Sequence, residues 1–243
     1  MSVQPKIRFV LLSSARSGTT VTIDLISQHP DAYVHKEIFK KTQGNQLREE
    51  FVTEVGLENR LSDTVGFAKK VLDISPGPKF MGFKMWRSQA PEACEYLLGH
   101  SGIHKIVHVR ENTLASYSSQ LLAKATGVSH ISEARLKKGA GKHKRPKIDF
   151  DKENFIKMCQ RRERYVADVL EKAEGPVLRT TYTGTTSDGP AEIYDFLGLE
   201  PFDASFRLQR VNSKSTIDRF REDQHEEILA TLDEIGHPEW ISE

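Results

Sequence analysis

The segment Ser13-Ser14-Ala15-Arg16-Ser17-Gly18-Thr19-Thr20 follows a strand-like apolar run, Ile7 to Leu12, and opens an amphipathic helical pattern from Gly18 to Ser27. That order constrains the chain more than any other feature, because it builds an anion site. Small residues let the backbone approach a ligand closely, the N–H groups of the first helical turn point outward, and the helix dipole adds partial positive charge. A phosphate or a sulfate fits such a place. A nucleoside-triphosphate loop needs G-x-x-x-x-G-K-[ST], with Lys on the terminal phosphates and the hydroxyl on magnesium. Here Ser13 holds the first glycine position, Thr19 holds the lysine position, and the cation lies upstream at Arg16. A plain structural turn before a helix is the alternative.

Farther along, apolar runs alternate with helical patterns: a strand near Phe80 to Met85, a helix over Pro91 to Leu98, a strand from His104 to Val109 and a helix from Thr113 to Ala123. The alternation predicts an α/β fold, a single P-loop-like domain whose central parallel sheet is flanked by crossover helices on both faces. Ligands of such sheets sit at the carboxyl ends of the strands, where Arg16, Arg110 and the end of Phe80 to Met85 are expected to meet. Arg110 leaves a strand and Ser118 lies eight residues on. A guanidinium offers a planar fork to phosphate oxygens, and a hydroxyl on the following helix can close the other side. The alternative is an Arg110 paired with Glu111 and an ordinary surface Ser118.

Leu47, Phe51 and Val55, then Val65, Phe67 and Val71, suggest helices bordering the site between residues 40 and 78. Asp151 to Lys172 is a clearer helix, with Phe155, Cys159, Val166, Val169 and Leu170 on one face and Arg161, Arg162, Glu163 and Arg164 expected largely on a solvated one. Val177 to Tyr182 reads as another strand. The helix after it ends in Phe196-Leu197-Gly198-Leu199, where Gly198 suits a positive-φ C-cap.

At 243 residues the chain can bury a full core, and residues 1–243 are expected to form one domain with a basic mobile loop at about 124–150, where Lys137, Lys138, Lys142, Lys144, Arg145 and Lys147 intersperse with glycine and proline. Lys plus Arg number 35 against 34 acidic residues, which gives no case for nucleic acid or a membrane surface and makes any electrostatic function local. The two cysteines, Cys94 and Cys159, sit apart in helical segments and are expected to be buried thiols of a reducing compartment. No metal-ligand cluster is visible, and the first residues carry no apolar leader or membrane span, so a soluble cytoplasmic protein is expected.

The loop around Arg16 and the segment from Arg110 to Ser118 together resemble the sulfotransferases that use 3′-phosphoadenosine 5′-phosphosulfate (PAPS) and release adenosine 3′,5′-bisphosphate (PAP). The resemblance implies that Arg16, Ser17, Gly18, Thr19 and Thr20 hold the 5′-phosphosulfate and that Arg110 and Ser118 grip the 3′-phosphate. Tyr182 resembles the tyrosine that ends a late strand in the family and is assigned to the cofactor. Lys84, in Met81-Gly82-Phe83-Lys84-Met85-Trp86, resembles a lysine near the transferring group. In the cytosolic small-molecule branch a histidine follows two residues beyond that lysine, but here Trp86 stands there. Glu37 instead matches the glutamate base of the carbohydrate branch, which includes bacterial trehalose and Nod-factor sulfotransferases, and His35 is the reserve base. Arg16 and Lys84 are the electrostatic partners of Glu37 in catalysis.

The pattern departs from the family at Ala15, where Pro is frequent, at Val21, where an aromatic often stacks on adenine, and at Thr183-Gly184, where Glu-Asp usually follows the tyrosine. Arg210 and Lys214 are candidates for a further 3′-phosphate contact. The implied reaction is in-line transfer of a sulfuryl group to a hydroxyl of a carbohydrate or other small molecule. A P-loop phosphotransferase that has lost its lysine, or a catalytically inactive PAPS- or PAP-binding protein, are the alternatives.

Overall fold

The structure, a computed structural model, describes residues 7–41, 47–74, 79–127, 146–208, 212 and 215–243. Residues 128–145 of the basic loop, and Arg210 and Lys214, lie outside the described residues. The chain gathers into two compact units, Met1–Val109 with Val166–Ser205, and Arg110–Tyr165 with Phe206–Glu243.

The first unit is an α/β layer built from β1 (Ile7–Leu12), α1 (Thr19–Ile26), β2 (Ala32–Glu37), α2 (Glu49–Val55), α3 (Thr64–Asp73), β3 (Phe80–Met85), α4 (Pro91–Leu98) and β4 (Ile103–Val109). The second unit contains α5 (Thr113–Thr126) and most of α6 (Lys152–Lys172), whose last turns from Val166 count with the first unit. The first unit then continues through β5 (Val177–Thr181), α7 (Tyr182–Asp188) and α8 (Ala191–Leu197), and α9 (His225–Glu234) belongs to the second.

All strand pairs are parallel, in the order β2-β3-β1-β4-β5. Every residue of β3 is buried, the pattern of a strand covered on both faces. On one face Phe9 and Leu11 of β1 pack with Ile23 and Ile26 of α1 and with Ile193 and Leu197 of α8. On the other, Phe83 meets Phe39, which in turn meets Phe67 of α3. Gly82 lies in register with Phe9, and a Cβ there would come within 2.5 Å of the ring carbons, so β3 needs glycine at that position. Strand β1 leads toward β2 on one side and β4 leads to β5 on the other. The connections therefore reverse between β1 and β4, and open sheets bind ligands at the carboxyl ends of such a pair.

The second unit has its own core, in which Leu114 and Tyr117 of α5 meet Phe150, Phe155, Phe220 and Trp240. Lys124 to Thr126 complete α5, and Ile148 pairs with Phe220, so the described flanks of the basic segment are structured. Cys94 and Cys159 are free and buried, and burial pushes each thiol up to about 11. Two expectations for α6 are overturned: Leu170, expected on the apolar face, is exposed, and Arg162, expected on the solvated one, is buried. Arg162 is only 7% exposed, because it follows Phe155 by seven residues and Cys159 by three and so shares their face. Among the described residues no helix is long and apolar enough to cross a membrane.

Candidate functional site

A bulge in β2 decides where the candidate base points. His35 pairs with Phe83 and Glu37 with Lys84, so two steps along β2 match one step along β3, and Lys36 is the extra, exposed residue. On an unbroken strand His35 and Glu37 would share a face. The bulge turns them to opposite faces. His35 goes to the side of α2, where its ring meets Phe51 edge-on and its Nδ1 accepts from the Arg48 amide at 3.1 Å. With Nδ1 serving as acceptor, a neutral ring carries its hydrogen on Nε2 and keeps no second lone pair for a hydroxyl proton, which argues against His35 as the base.

Glu37 goes to the face of Phe9 and α1, where it joins Lys84. Glu37 is 6% exposed and Lys84 4%, and Lys84 Nζ lies 3.2 Å from Glu37 Oε1. Gln89 Nε2 donates to Glu37 Oε2 at 2.9 Å, and Lys40 Nζ stands 3.8 Å from the same oxygen. Gln89 is itself fixed, since its Oε1 accepts from the Trp86 amide at 3.1 Å in the short 3₁₀ turn after β3. The backbone beyond Glu37 is held by Arg60, whose Nη1 donates to the carbonyls of Ile38 and Lys40. Burial holds the Lys84 ammonium below the usual lysine range, the attraction of Glu37 opposes this, and the charges of Lys40 and Lys36 add to the lowering.

Lys84 also reaches the loop. Its Nζ donates to Thr20 Oγ1 at 3.1 Å and to Thr19 Oγ1 at 3.4 Å, both on the first turn of α1. The loop's backbone is unusual for its sequence: Arg16 has φ +64° and Gly18, the N-cap of α1, has φ +83°. Left-handed residues in a tight turn curl successive amides toward one concavity of the kind that binds anions. Ser14 and Ser17 hydroxyls share a hydrogen bond of 3.1 Å across the turn. Ser13 is 1% exposed, and its hydroxyl has no partner among the described residues, an orphan that an anionic ligand would satisfy. Gly18 is pinned by Tyr182, because a Cβ at Gly18 would fall on the Tyr182 ring. The tyrosine opens α7 rather than ending the strand. Thr181 takes the N-cap, its hydroxyl accepting from the Gly184 amide at 3.0 Å, which ends β5 one residue earlier than the apolar pattern suggests.

Arg110 and Ser118 belong to the second unit and meet there in a cluster that the sequence reading only half contains. Arg110 Nε donates to Glu243 Oε1 and its Nη2 to Glu243 Oε2, both at 2.6 Å. Arg219 Nη2 donates to the same Glu243 Oε2 at 3.3 Å, and its Nη1 donates to Ser118 Oγ at 3.0 Å. Ser118 passes its own hydrogen to the Ala115 carbonyl at 3.1 Å. Arg162 donates to the Arg110 carbonyl at 3.3 Å; burial first, then the like charge of Arg110, push its guanidinium down to about 10. It remains charged at neutral pH. Gln89, Arg219 and Glu243 were missed from sequence. Nothing in the local sequence ranks Arg219 above the candidate Arg210, and Glu243 carries no motif at all.

The loop, Glu37, Lys84 and Tyr182 thus lie in the first unit, and Arg110 and Ser118 in the second. Among the described residues no three His, Cys, Asp or Glu side chains gather as metal ligands do. No protein-family model matches this chain, and no curated protein matches it. Among solved structures, a mouse sulfotransferase, SULT7A1, complexed with PAP matches over 94% of this chain and 83% of that chain, with 14% identity and a TM-score of 0.48. The crystal structure of a sulfotransferase from Alicyclobacillus acidocaldarius matches over 97% of this chain and 98% of that one, with 14% identity and a TM-score of 0.51. The chain therefore has the P-loop-like α/β fold of that bacterial sulfotransferase, with a central parallel sheet flanked by helices.

Proposed function

We propose that the protein is a sulfotransferase that moves the sulfuryl group of PAPS to a hydroxyl of a carbohydrate or other small-molecule acceptor. One observation carries this reading: Lys84 Nζ lies 3.1 Å from Thr20 Oγ1 on the loop and 3.2 Å from Glu37 Oε1, joining an anion site, a cation and a carboxylate in one chain of contacts. The residues fit an anionic cofactor, given the curled amides, the orphan Ser13 hydroxyl and a glycine with no Cβ at the helix N-terminus. Arg16, Ser17, Gly18, Thr19 and Thr20 would hold the 5′-phosphosulfate, with Tyr182 fixing Gly18. Arg110, Ser118 and Arg219 would hold the 3′-phosphate. PAPS, when bound, supplies the activated sulfuryl group.

Glu37 takes the proton of the acceptor hydroxyl, oriented for that by Gln89 and Lys84. As its charge is neutralised, its hold on Lys84 weakens and the ammonium is released toward the loop. Lys84 and Arg16 then stabilise charge that builds on the departing oxygen, in a buried setting where such interactions are strong. The use of a carboxylate, with Trp86 in the place of a histidine, supports an acceptor of the carbohydrate type.

Calorimetry of PAP without metal, with ATP as competitor, and PAP release from PAPS over a panel of sugar and small hydroxyl acceptors test the reading. Expected are micromolar PAP binding selective over ATP, its loss in Arg110→Ala, and acceptor-dependent release that falls by about 10²–10⁴ in Glu37→Gln with PAP binding kept. Magnesium-dependent ATP turnover would replace the reading with phosphoryl transfer. PAP binding without transfer to any acceptor would leave a binding protein.

A further inference from the structure

The cluster around Arg110 already holds an anion of the protein's own. Glu243 presents both carboxylate oxygens to the Nε and Nη2 edge of Arg110 at 2.6 Å, and Oε2 is shared with Arg219 at 3.3 Å. The same edge of a guanidinium is what a phosphate grips bidentately. The side chains of Glu243, Arg110 and Arg219 are each less than 10% exposed. Arg219 ties the pair to Ser118, the hydroxyl assigned to the same subsite.

We propose that Glu243 is an internal stand-in for the 3′-phosphate, occupying the Arg110, Arg219 and Ser118 subsite until a ligand bearing that phosphate displaces it. The inference rests on the sulfotransferase reading only in identifying the incoming ligand. A phosphate monoester carries about −1.5 to −2 charge at pH 7 against −1 for a carboxylate, so exchange adds charge of the sign that the two guanidiniums favour. A nucleotide without a 3′-phosphate offers nothing to that exchange and leaves Glu243 in place. Glu243 thereby lowers the affinity for PAP, and Glu243→Gln raises it without a matching effect on adenosine 5′-monophosphate. The size follows from occupancy: if Glu243 fills the subsite in about nine molecules of ten, its removal tightens PAP binding about tenfold.

The experiment is calorimetry of PAP and of adenosine 5′-monophosphate with the full chain, as wild type, Glu243→Gln, Glu243→Asp and Glu243→Gln combined with Arg110→Ala. Glu243→Asp keeps the charge but shortens the reach, and serves should the glutamine variant fail to fold. Support is a roughly tenfold tighter PAP complex in Glu243→Gln, a smaller gain in the same direction in Glu243→Asp, no change with adenosine 5′-monophosphate, and loss of the gain in the double variant. PAP binding to wild type that is as tight as, or tighter than, to both Glu243 variants overturns the inference and leaves the sulfotransferase reading standing. PAP binding to neither wild type nor the Glu243 variants overturns both.

Discussion

Arg16 carries a side chain where the backbone prefers none. A left-handed L-residue costs about 1–2 kcal/mol, and glycine at the same φ avoids that cost while losing about 0.5–1 kcal/mol to its greater freedom when unfolded. Arg16→Gly should therefore leave the protein as stable as wild type or up to about 1.5 kcal/mol more stable, whereas a charge-assisted bond to the 5′-phosphate of PAP is worth about 1.5–3 kcal/mol. A denaturant midpoint that holds or rises while PAP affinity falls at least tenfold is the expected pair of results; unchanged affinity would reduce Arg16 to a turn residue. Lys84 adds a pH dependence. Its pKa lies below the ordinary lysine value, chiefly through burial, so the ammonium is lost at a lower pH than that of an exposed lysine. PAP affinity should fall as pH rises through that lowered value. The sign for stability is opposite: between the folded and unfolded pKa values the unfolded chain binds more protons, so the Lys84 contribution to stability rises with pH across the same window. Lys84→Arg, charged throughout, should flatten the affinity profile, and a profile identical to wild type would remove Lys84 from the anion site.

The β2 bulge is the device that assembles the base, and it can be tested by removing its extra residue. Deleting Lys36 restores a regular strand in which Glu37 follows His35 directly, so Glu37 keeps the face opposite to His35 and its pairing with Lys84. The expected outcome is that sulfuryl transfer and PAP binding are both retained; transfer reduced to the level of Glu37→Gln would mean that the bulge itself, and not the face alone, places the carboxylate. The bulge also marks the limit of what could be read from sequence. Strands β1, β3 and β4 were legible because each is an apolar run closed by polar or small residues, and the helix ends at Gly198 because its φ of +70° needs glycine. Register is different. His35 and Glu37 stand two apart, which on any regular strand places them together, and only pairing with β3 reveals the slip. Arg162 was misassigned for a related reason: its charge suggested solvent, while its spacing from Phe155 and Cys159 set its face.

Across the whole chain, 35 basic and 34 acidic residues cancel, so anion binding has to come from charges sorted into particular places. One such place joins residues far apart in sequence: Arg110 and Ser118 follow β4, whereas Arg219 and Glu243 come from the last stretch. No local pattern could have joined them. Asn112 shows how the second unit fastens that stretch. Its Nδ2 donates to the carbonyls of Trp240 and Ser242, each at 2.9 Å, and its Oδ1 caps α5 by accepting from the Ala115 amide at 2.7 Å. Trp240, stacked on His237 with ring centroids 3.9 Å apart, packs edge-on against Phe155 in the core of that unit. Asn112→Ala removes the cap, about 1 kcal/mol, and two hydrogen bonds of about 1 kcal/mol each, whereas Asn112→Ser can keep the cap and loses the bonds to the two carbonyls. The chain has two tryptophans, so Trp86→Phe leaves Trp240 as the sole fluorescent reporter of the second unit. Denaturation of that background should show Asn112→Ala destabilised by about 3 kcal/mol and Asn112→Ser by about 2 kcal/mol. Equal losses in the two variants would assign the whole effect to the anchoring of Trp240 and Ser242. A full recovery in Asn112→Ser would assign it to the cap, and the segment that carries Glu243 to the arginines would then be held by its packing alone.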